Sequence, residues 1–435
     1  MDLPNNKSFC LAPWVHLHVL PTGKVMPCCF WDQQHKRDNY GKMQEYDSVP
    51  DLMNHDNFKK LRKQFLAGDK HPGCNRCYQH DDAGRKNNSM RTWFNTVFDN
   101  EKTRQVVAST KEDGSSDVNM LYLDIRFGNI CNLKCRMCGY ELSSTWHDEL
   151  IKLEVHNGIT ADNPHSQQHK PKFIHVDCYE KVEPFLETVE EIYFAGGEPF
   201  LYPEHLQMLD KLIAIGRTDV KIKYNTNLTS LKYKGRDIVE IWKKFDRVSV
   251  GASIDGYGET IEYIRTGLKW SQFESNFNRV KDEAPKVHLF PAPTIGALNL
   301  EHFPEFNKYC VENKWSQWAL FTPNFVSWPQ WQHPAIFPDW YKERIIKKYE
   351  THIDWLENHH PLGGNQVQGM KSIISYIQED TFSQEEKDHL ISEMWKRLWV
   401  FDKSADLNWS RSLNYLYNFF TEYKERKGWK TWPDN

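Results

Sequence analysis

Leu121-Tyr-Leu-Asp-Ile-Arg126-Phe-Gly-Asn-Ile-Cys131-Asn-Leu-Lys-Cys135-Arg-Met-Cys138 is the stretch on which the reading of this 435-residue chain turns. Its first six residues are β-rich, and its last eight set three cysteines at C-x3-C-x2-C on the loop that follows. Further β-rich runs come at Glu191–Ala195, Val220–Tyr224, Arg247–Ile254, Lys286–Phe290 and Trp318–Phe321. Amphipathic segments lie between them, such as Pro203–Gly216, where Leu206, Leu209, Leu212 and Ile213 recur at helical spacing. Repeated βα units predict a parallel sheet with helices outside it. Six such strands predict an α/β fold built on a partial (β/α)6 TIM-like barrel over residues 119–335.

The flanks differ in kind. Residues 1–95 are turn-rich and cysteine-bearing, with one predicted helix near Asn57–Ala67. Residues 96–118 predict a linker, whose charged, Ser/Gly-containing part is Thr110–Asp117. Residues 157–171, rich in His, Asn, Gln and Pro, read as an inserted loop. Residues 336–435 are polar and predicted helical, and 11 of the 17 tryptophans lie from Trp315 onward. Those aromatics either anchor amphipathic helices against the barrel or line a substrate surface.

Composition narrows the classes. With 55 Lys+Arg against 59 Asp+Glu the formal charge is -4, so no global basic field holds a nucleic-acid backbone. Mean hydropathy is -0.72, and no apolar run reaches the roughly 18–20 residues of a membrane helix. The opening Met1-Asp-Leu-Pro-Asn-Asn-Lys7 has no charged-then-apolar leader, so a cytoplasmic location is expected. In a reducing compartment, ten cysteines point to metal or redox chemistry rather than disulfides.

Seven of the ten fall into two patterns. Cys131, Cys135 and Cys138 offer three thiolates on one loop, enough to hold three irons of a 4Fe–4S cluster and leave the fourth open. Zinc is the competing reading, but a structural zinc wants four ligands and this loop supplies no fourth. Cys10 and Cys28 bracket a glycine as C-x12-G-x4-C, and Cys74-Asn-Arg-Cys77 follows. Four thiolates close a site, holding zinc or a fully ligated 4Fe–4S cluster, and spacing alone favours zinc. Cys29, Cys178 and Cys310 are expected to be buried small hydrophobes, although Cys29 could replace its neighbour Cys28 as a ligand.

The order of motifs downstream of Cys138 resembles the radical S-adenosylmethionine (SAM) superfamily over roughly residues 119–326. Gly196-Gly-Glu-Pro199 resembles the family's GGEP segment, which holds the methionine amino group of SAM. Two glycines let a backbone approach a ligand closely, and acidic and carbonyl groups suit an ammonium. Asn225, in Tyr224-Asn-Thr-Asn227, stands where the family often supplies a ribose-binding residue. Ser253 and Asp255, in Ser253-Ile-Asp-Gly256, resemble the S-x-D-G segment, and Arg265 occupies the place of an arginine near the SAM carboxylate. Met137 departs from the family, which often has an aromatic before the third cysteine.

The N-terminal cysteines resemble the twitch domain, a shortened SPASM domain with one auxiliary cluster. Residues 78–91 contain no further cysteine of a full SPASM domain. Twitch domains usually follow the barrel, whereas this one precedes it. The resemblance implies a SAM-binding 4Fe–4S cluster, an auxiliary 4Fe–4S cluster that accepts an electron from a substrate radical, SAM itself, and an external reductant of the flavodoxin or ferredoxin type. It implies oxidation or cross-linking of a peptide or protein, or dehydrogenation or epimerisation of a small alcohol or sugar. An RNA-modifying enzyme is disfavoured by the charge and the lack of a nucleic-acid module. A zinc-binding interaction protein is the rival outside the class. Asp124 and Arg126 either face the pocket or pair within the barrel; no acid or base is assigned.

Overall fold

The computed structural model describes residues 3–32, 38–84, 86, 89–156, 163, 166–315, 323–360, 364–405 and 407–432. Its strands, in chain order, begin with β1 (His16–Val19), β2 (Val25–Met26), β3 (Tyr122–Ile125) and β4 (Lys134–Cys135). β5 (Glu191–Phe194), β6 (Lys221–Thr226), β7 (Lys232–Tyr233), β8 (Arg236–Asp237) and β9 (Val248–Ala252) follow. β10 (Arg265–Thr266), β11 (His288–Pro291), β12 (Thr294–Ile295) and β13 (Asn324–Phe325) complete the set. Seven of them form one sheet in the order β11-β9-β6-β5-β3-β1-β2. All its neighbours pair in parallel except β1 with β2.

Five of the six expected strands are present and adjacent in chain order, which is the α/β arrangement. The sixth, at 318–321, and most of the insertion at 157–171 lie outside the described residues. β12 and β13 add a separate parallel pair. The expected helices form at Asp56–Ala67 and Pro203–Ala214, the first closed by Gly68 at φ 88° and the second opened by Pro203.

The two faces of the sheet have different chemistry. Leu17, Leu123, Ile125, Ile192, Phe194, Ile222 and Val250 are fully buried on one face, each contributing about 1.5–3 kcal/mol of burial. The other face carries polar side chains in register. His18, Asp124, Tyr193, Lys223, Ser249 and His288 make one row across six strands. Alternation of side chains along each strand separates these sets. Parallel sheets usually bury apolar groups on both faces, so a polar row marks a face shaped for something other than packing.

β1 is the structural surprise of the N-terminal region, because it lies parallel to β3 inside the same sheet. The region also holds helices Asn75–Asp82, Met90–Val97 and Glu101–Ala108, which the sequence reading does not anticipate. Nor is 110–117 a free tether. Arg62 donates to Gly114 O at 3.2 Å, and Asn54 Nδ2 donates to Ser116 O at 3.1 Å.

Beyond residue 338 the chain forms helices Asp339–His359, Gly364–Gln378, Gln384–Ala405 and Asn414–Arg426, with a short turn at Trp409–Ser412. Trp409 is fully buried, its ring 5.4 Å from Trp395 and 5.5 Å from Phe420. Trp409 is core, and Trp395 packs against it. Trp328, 77% exposed, is not core. Among the described residues no helix is long and apolar enough to cross a membrane.

Candidate cofactor and metal centres

The cysteine loop leaves β3 and is pinned in two places. β4, which contains Cys135, pairs antiparallel with β10, so Arg265 lies directly opposite Cys135. Trp146 Nε1 donates to Cys135 O at 3.1 Å. Arg265 grips the buried Asp255 carboxylate with two bonds of 2.7 and 3.0 Å and reaches Cys135 Sγ at 3.6 Å. A hydrogen bond with the Cys138 thiol, then the Arg265 guanidinium, outweigh burial and draw Cys135 down to about 7. The same bond and burial push Cys138 well up, and burial pushes Cys131 up to about 12. Three clustered thiols with a guanidinium and an amide aimed at sulfur suit a metal that takes them as thiolates.

The GGEP turn sits against this loop. Gly196 and Gly197 both have positive φ, 74° and 56°. A Cβ on Gly197 would stand 2.5 Å from Ile130 O, and one on Gly196 would stand 2.5 Å from Arg126 Cγ. Only glycine allows so close a turn, and consecutive left-handed residues expose backbone carbonyls to a ligand. Glu198 does not point outward. It is buried, accepts from Thr226 Oγ1 at 2.6 Å and Asn227 N at 2.8 Å, and burial raises it to about 7. Pro199 then starts a short turn whose Phe200 N faces Glu198 Oε1 at 3.4 Å. The acid thus ties the turn to the end of β6.

The structure brings Cys131, Cys135 and Cys138 together with Glu198, Asp255 and Arg265. Asn225 is exposed on the polar face, and Ser253 N donates to Thr226 O at 2.8 Å. Just past β6, Asn227 reaches Cys131. Its Nδ2 lies 3.9 Å from Cys131 Sγ and donates to Asn132 Oδ1 at 2.8 Å, while Asn132 Nδ2 donates to Thr229 Oγ1 at 2.9 Å. Asparagines flanking a cysteine and ending a strand were the available signal.

The second set also assembles. Cys10 and Cys28 each lie within electrostatic reach of Cys74 and Cys77. Burial, reinforced by the neighbouring sulfurs, drives Cys10 and Cys28 far up and Cys74 up to about 12. Four mutually close sulfurs, three of them held neutral by their surroundings, fit a bound metal cluster, whose cations supply the missing charge. Cys29 is the correction to the sequence reading. It is exposed rather than buried, and its thiol is within reach of Asp124, Arg126 and Lys223 on the polar face. Cys178 and Cys310 are buried as expected.

Asp124 and Arg126 prove to be a pair on that face. Asp124 holds Arg126 Nη1 at 2.6 Å and His18 Nδ1 at 2.6 Å. Burial alone would raise Asp124, but the Arg126 and His18 charges hold it well below the carboxylate range. His16, His18 and Asp124 bring ligand atoms within 4.8 Å of one another. The guanidinium already balances the carboxylate, and burial lowers His16 to about 3, so the trio reads as a charge-paired network rather than a metal site.

Residues 125–310 match the profile of the Radical SAM superfamily, and residues 10–78 match that of SPASM, an iron–sulfur cluster-binding domain. No curated protein matches the chain. Among solved structures, native anSMEcpe with bound AdoMet is 21% identical over 55% of this chain and 60% of that one, with a TM-score of 0.35. Streptococcus suis SuiB bound to S-adenosylmethionine is 15% identical over 69% of this chain and 61% of that one, with a TM-score of 0.36. This chain therefore spans less than two thirds of either protein's length.

Proposed function

We propose that this chain, which carries a Radical SAM domain over 125–310 and a SPASM-type iron–sulfur domain over 10–78, cleaves SAM reductively to oxidise or cross-link a peptide or protein substrate. Its cofactors are a SAM-binding 4Fe–4S cluster, an auxiliary cluster and SAM. In this reading Cys131, Cys135 and Cys138 hold the first cluster, and Cys10, Cys28, Cys74 and Cys77 hold the second. When bound, the clusters supply one-electron chemistry at the two ends of the reaction. The chain's own residues position and insulate: the Gly196–Gly197 turn would receive the SAM ammonium, and Arg265, fixed by Asp255, would offset thiolate charge.

The observation that carries the proposal is the divergence of two adjacent residues. Cys28 joins the auxiliary set, while Cys29 faces Asp124 and Arg126, against whose stem Gly196 of the SAM turn packs. One polar face thus separates the two cysteine sets. The exposed Trp328 and the stacked Phe325–Tyr376 pair, 3.8 Å apart, offer an extended aromatic surface that favours a peptide. The polar row itself supports a second reading, dehydrogenation of a small alcohol or sugar. The same proposal takes residues 1–95 as a twitch domain, 96–118 as its connection, 119–335 as a partial barrel and 336–435 as a helical region. It places the protein in the cytoplasm with a flavodoxin- or ferredoxin-type reductant.

The test is SAM cleavage under dithionite by anaerobically reconstituted protein. Wild type should form 5′-deoxyadenosine, and the Cys131→Ala/Cys135→Ala/Cys138→Ala variant should form none. Persistent cleavage by the variant would place the active cluster elsewhere.

A further inference from the structure

The polar face has more cation than it uses. Arg126, Lys221 and Lys223 stand there with Asp124 and Glu191. Both acids are already committed: Asp124 to Arg126 and His18, and Glu191 to Lys221 at 3.2 Å and Lys223 at 3.0 Å. Arg126 spends only Nη1 on Asp124, and its Nε and Nη2 donate to no acceptor among the described residues. Its side chain is 15% exposed, so those donors open onto the face rather than into packing.

Arg126 and Lys223 both border the Tyr193 ring. Their charged ends lie 5.9 and 5.7 Å from the Tyr193 ring centroid, and both are within reach of the Cys29 thiol. A guanidinium with a free edge, on a half-buried face that also carries an ammonium, is the complement of a planar anion. Gly196 backs the Arg126 stem on the SAM side, and Cys29 borders the face on the auxiliary side.

We infer that this face binds a carboxylate group of the substrate, held by Arg126 and Lys223 between the two cysteine sets. The inference rests on the radical SAM reading above and adds the chemistry of the substrate to it. The carboxylate belongs either to a peptide terminus or to a small organic acid. His18 is a positioning residue that fixes Asp124, which in turn leaves one edge of Arg126 free.

Calorimetry on SAM-saturated, cluster-loaded protein without reductant tests it. The probes are succinate and the tripeptide Ala-Ala-Ala as free acid and as C-terminal amide. Wild type should bind an acid at least about tenfold tighter than the amide, the size of one charge-assisted hydrogen bond. Arg126→Gln and Lys223→Gln should each weaken acid binding by about tenfold or more. The second variant keeps the test decisive where loss of Arg126, which strands Asp124, prevents folding. Preference for succinate assigns the site to a small acid, and preference for the free-acid peptide assigns it to a peptide; either supports the inference. Equal binding of acid and amide, no binding of either acid, or unchanged affinity in a folded variant would overturn it. SAM cleavage measured on the same preparations separates the two claims, since its absence with intact acid binding would sink only the radical reading.

Discussion

At Gly197 the space left for a side chain is set by a backbone carbonyl, and at Gly196 by the flexible stem of Arg126. Backbone cannot step aside, so Gly197→Ala should cost more than Gly196→Ala, beyond the roughly 1–2 kcal/mol of a left-handed alanine. SAM affinity and urea midpoints of the two variants check the order, and equal effects would contradict it. Arg62 makes a different kind of prediction. It is fully buried and donates to Pro13 O, Met53 O, Gly114 O and Asn54 Oδ1. Arg62→Ala leaves those acceptors without a donor, each at about 1–3 kcal/mol, so a loss of about 3 kcal/mol or more is expected in urea unfolding. Arg62→Lys should recover only part, lacking the planar fork. What the sequence disclosed at this scale was what chemistry forces into fixed spacing: the cysteines and the double glycine. Asn227 at Cys131, the outward Cys29 and the His18–Asp124 bond stayed hidden because they depend on chain segments about a hundred residues apart meeting in register.

Elements were legible in proportion to their length and pattern. Strands alternating with helices announced the parallel sheet, and the amphipathic run at 203–216 announced its helix. β1 was missed although His16-Leu-His-Val19 alternates cleanly, Leu17 and Val19 into the core and the histidines onto the polar face. Four residues among turns and cysteines carry too little periodicity to be separated from a loop. Yet β1 covers the edge of β3, which otherwise presents unpaired backbone groups and apolar side chains. A chain shortened to residues 96–435 should therefore aggregate rather than fold as a soluble monomer, as size-exclusion chromatography would show. A folded, monomeric fragment would mean that β1 is dispensable.

For the whole molecule, the shared sheet gives a physical reason for a cluster domain that precedes the strands instead of following them. By docking β1 beside β3, the N-terminal region brings Cys29, next to Cys28 of the four-cysteine set, to the face that the Gly196–Gly197 turn also borders. The sequence could show two sets of cysteines but not that one face lies between them. The central claim is that these are two separate iron–sulfur centres with separate duties. Iron content of anaerobically reconstituted protein, wild type beside the Cys74→Ala/Cys77→Ala variant, tests it most directly. The account predicts about eight irons per chain falling to about four in the variant, since each complete set binds one four-iron cluster. About four irons and one zinc in wild type, with the zinc lost in the variant, would contradict it.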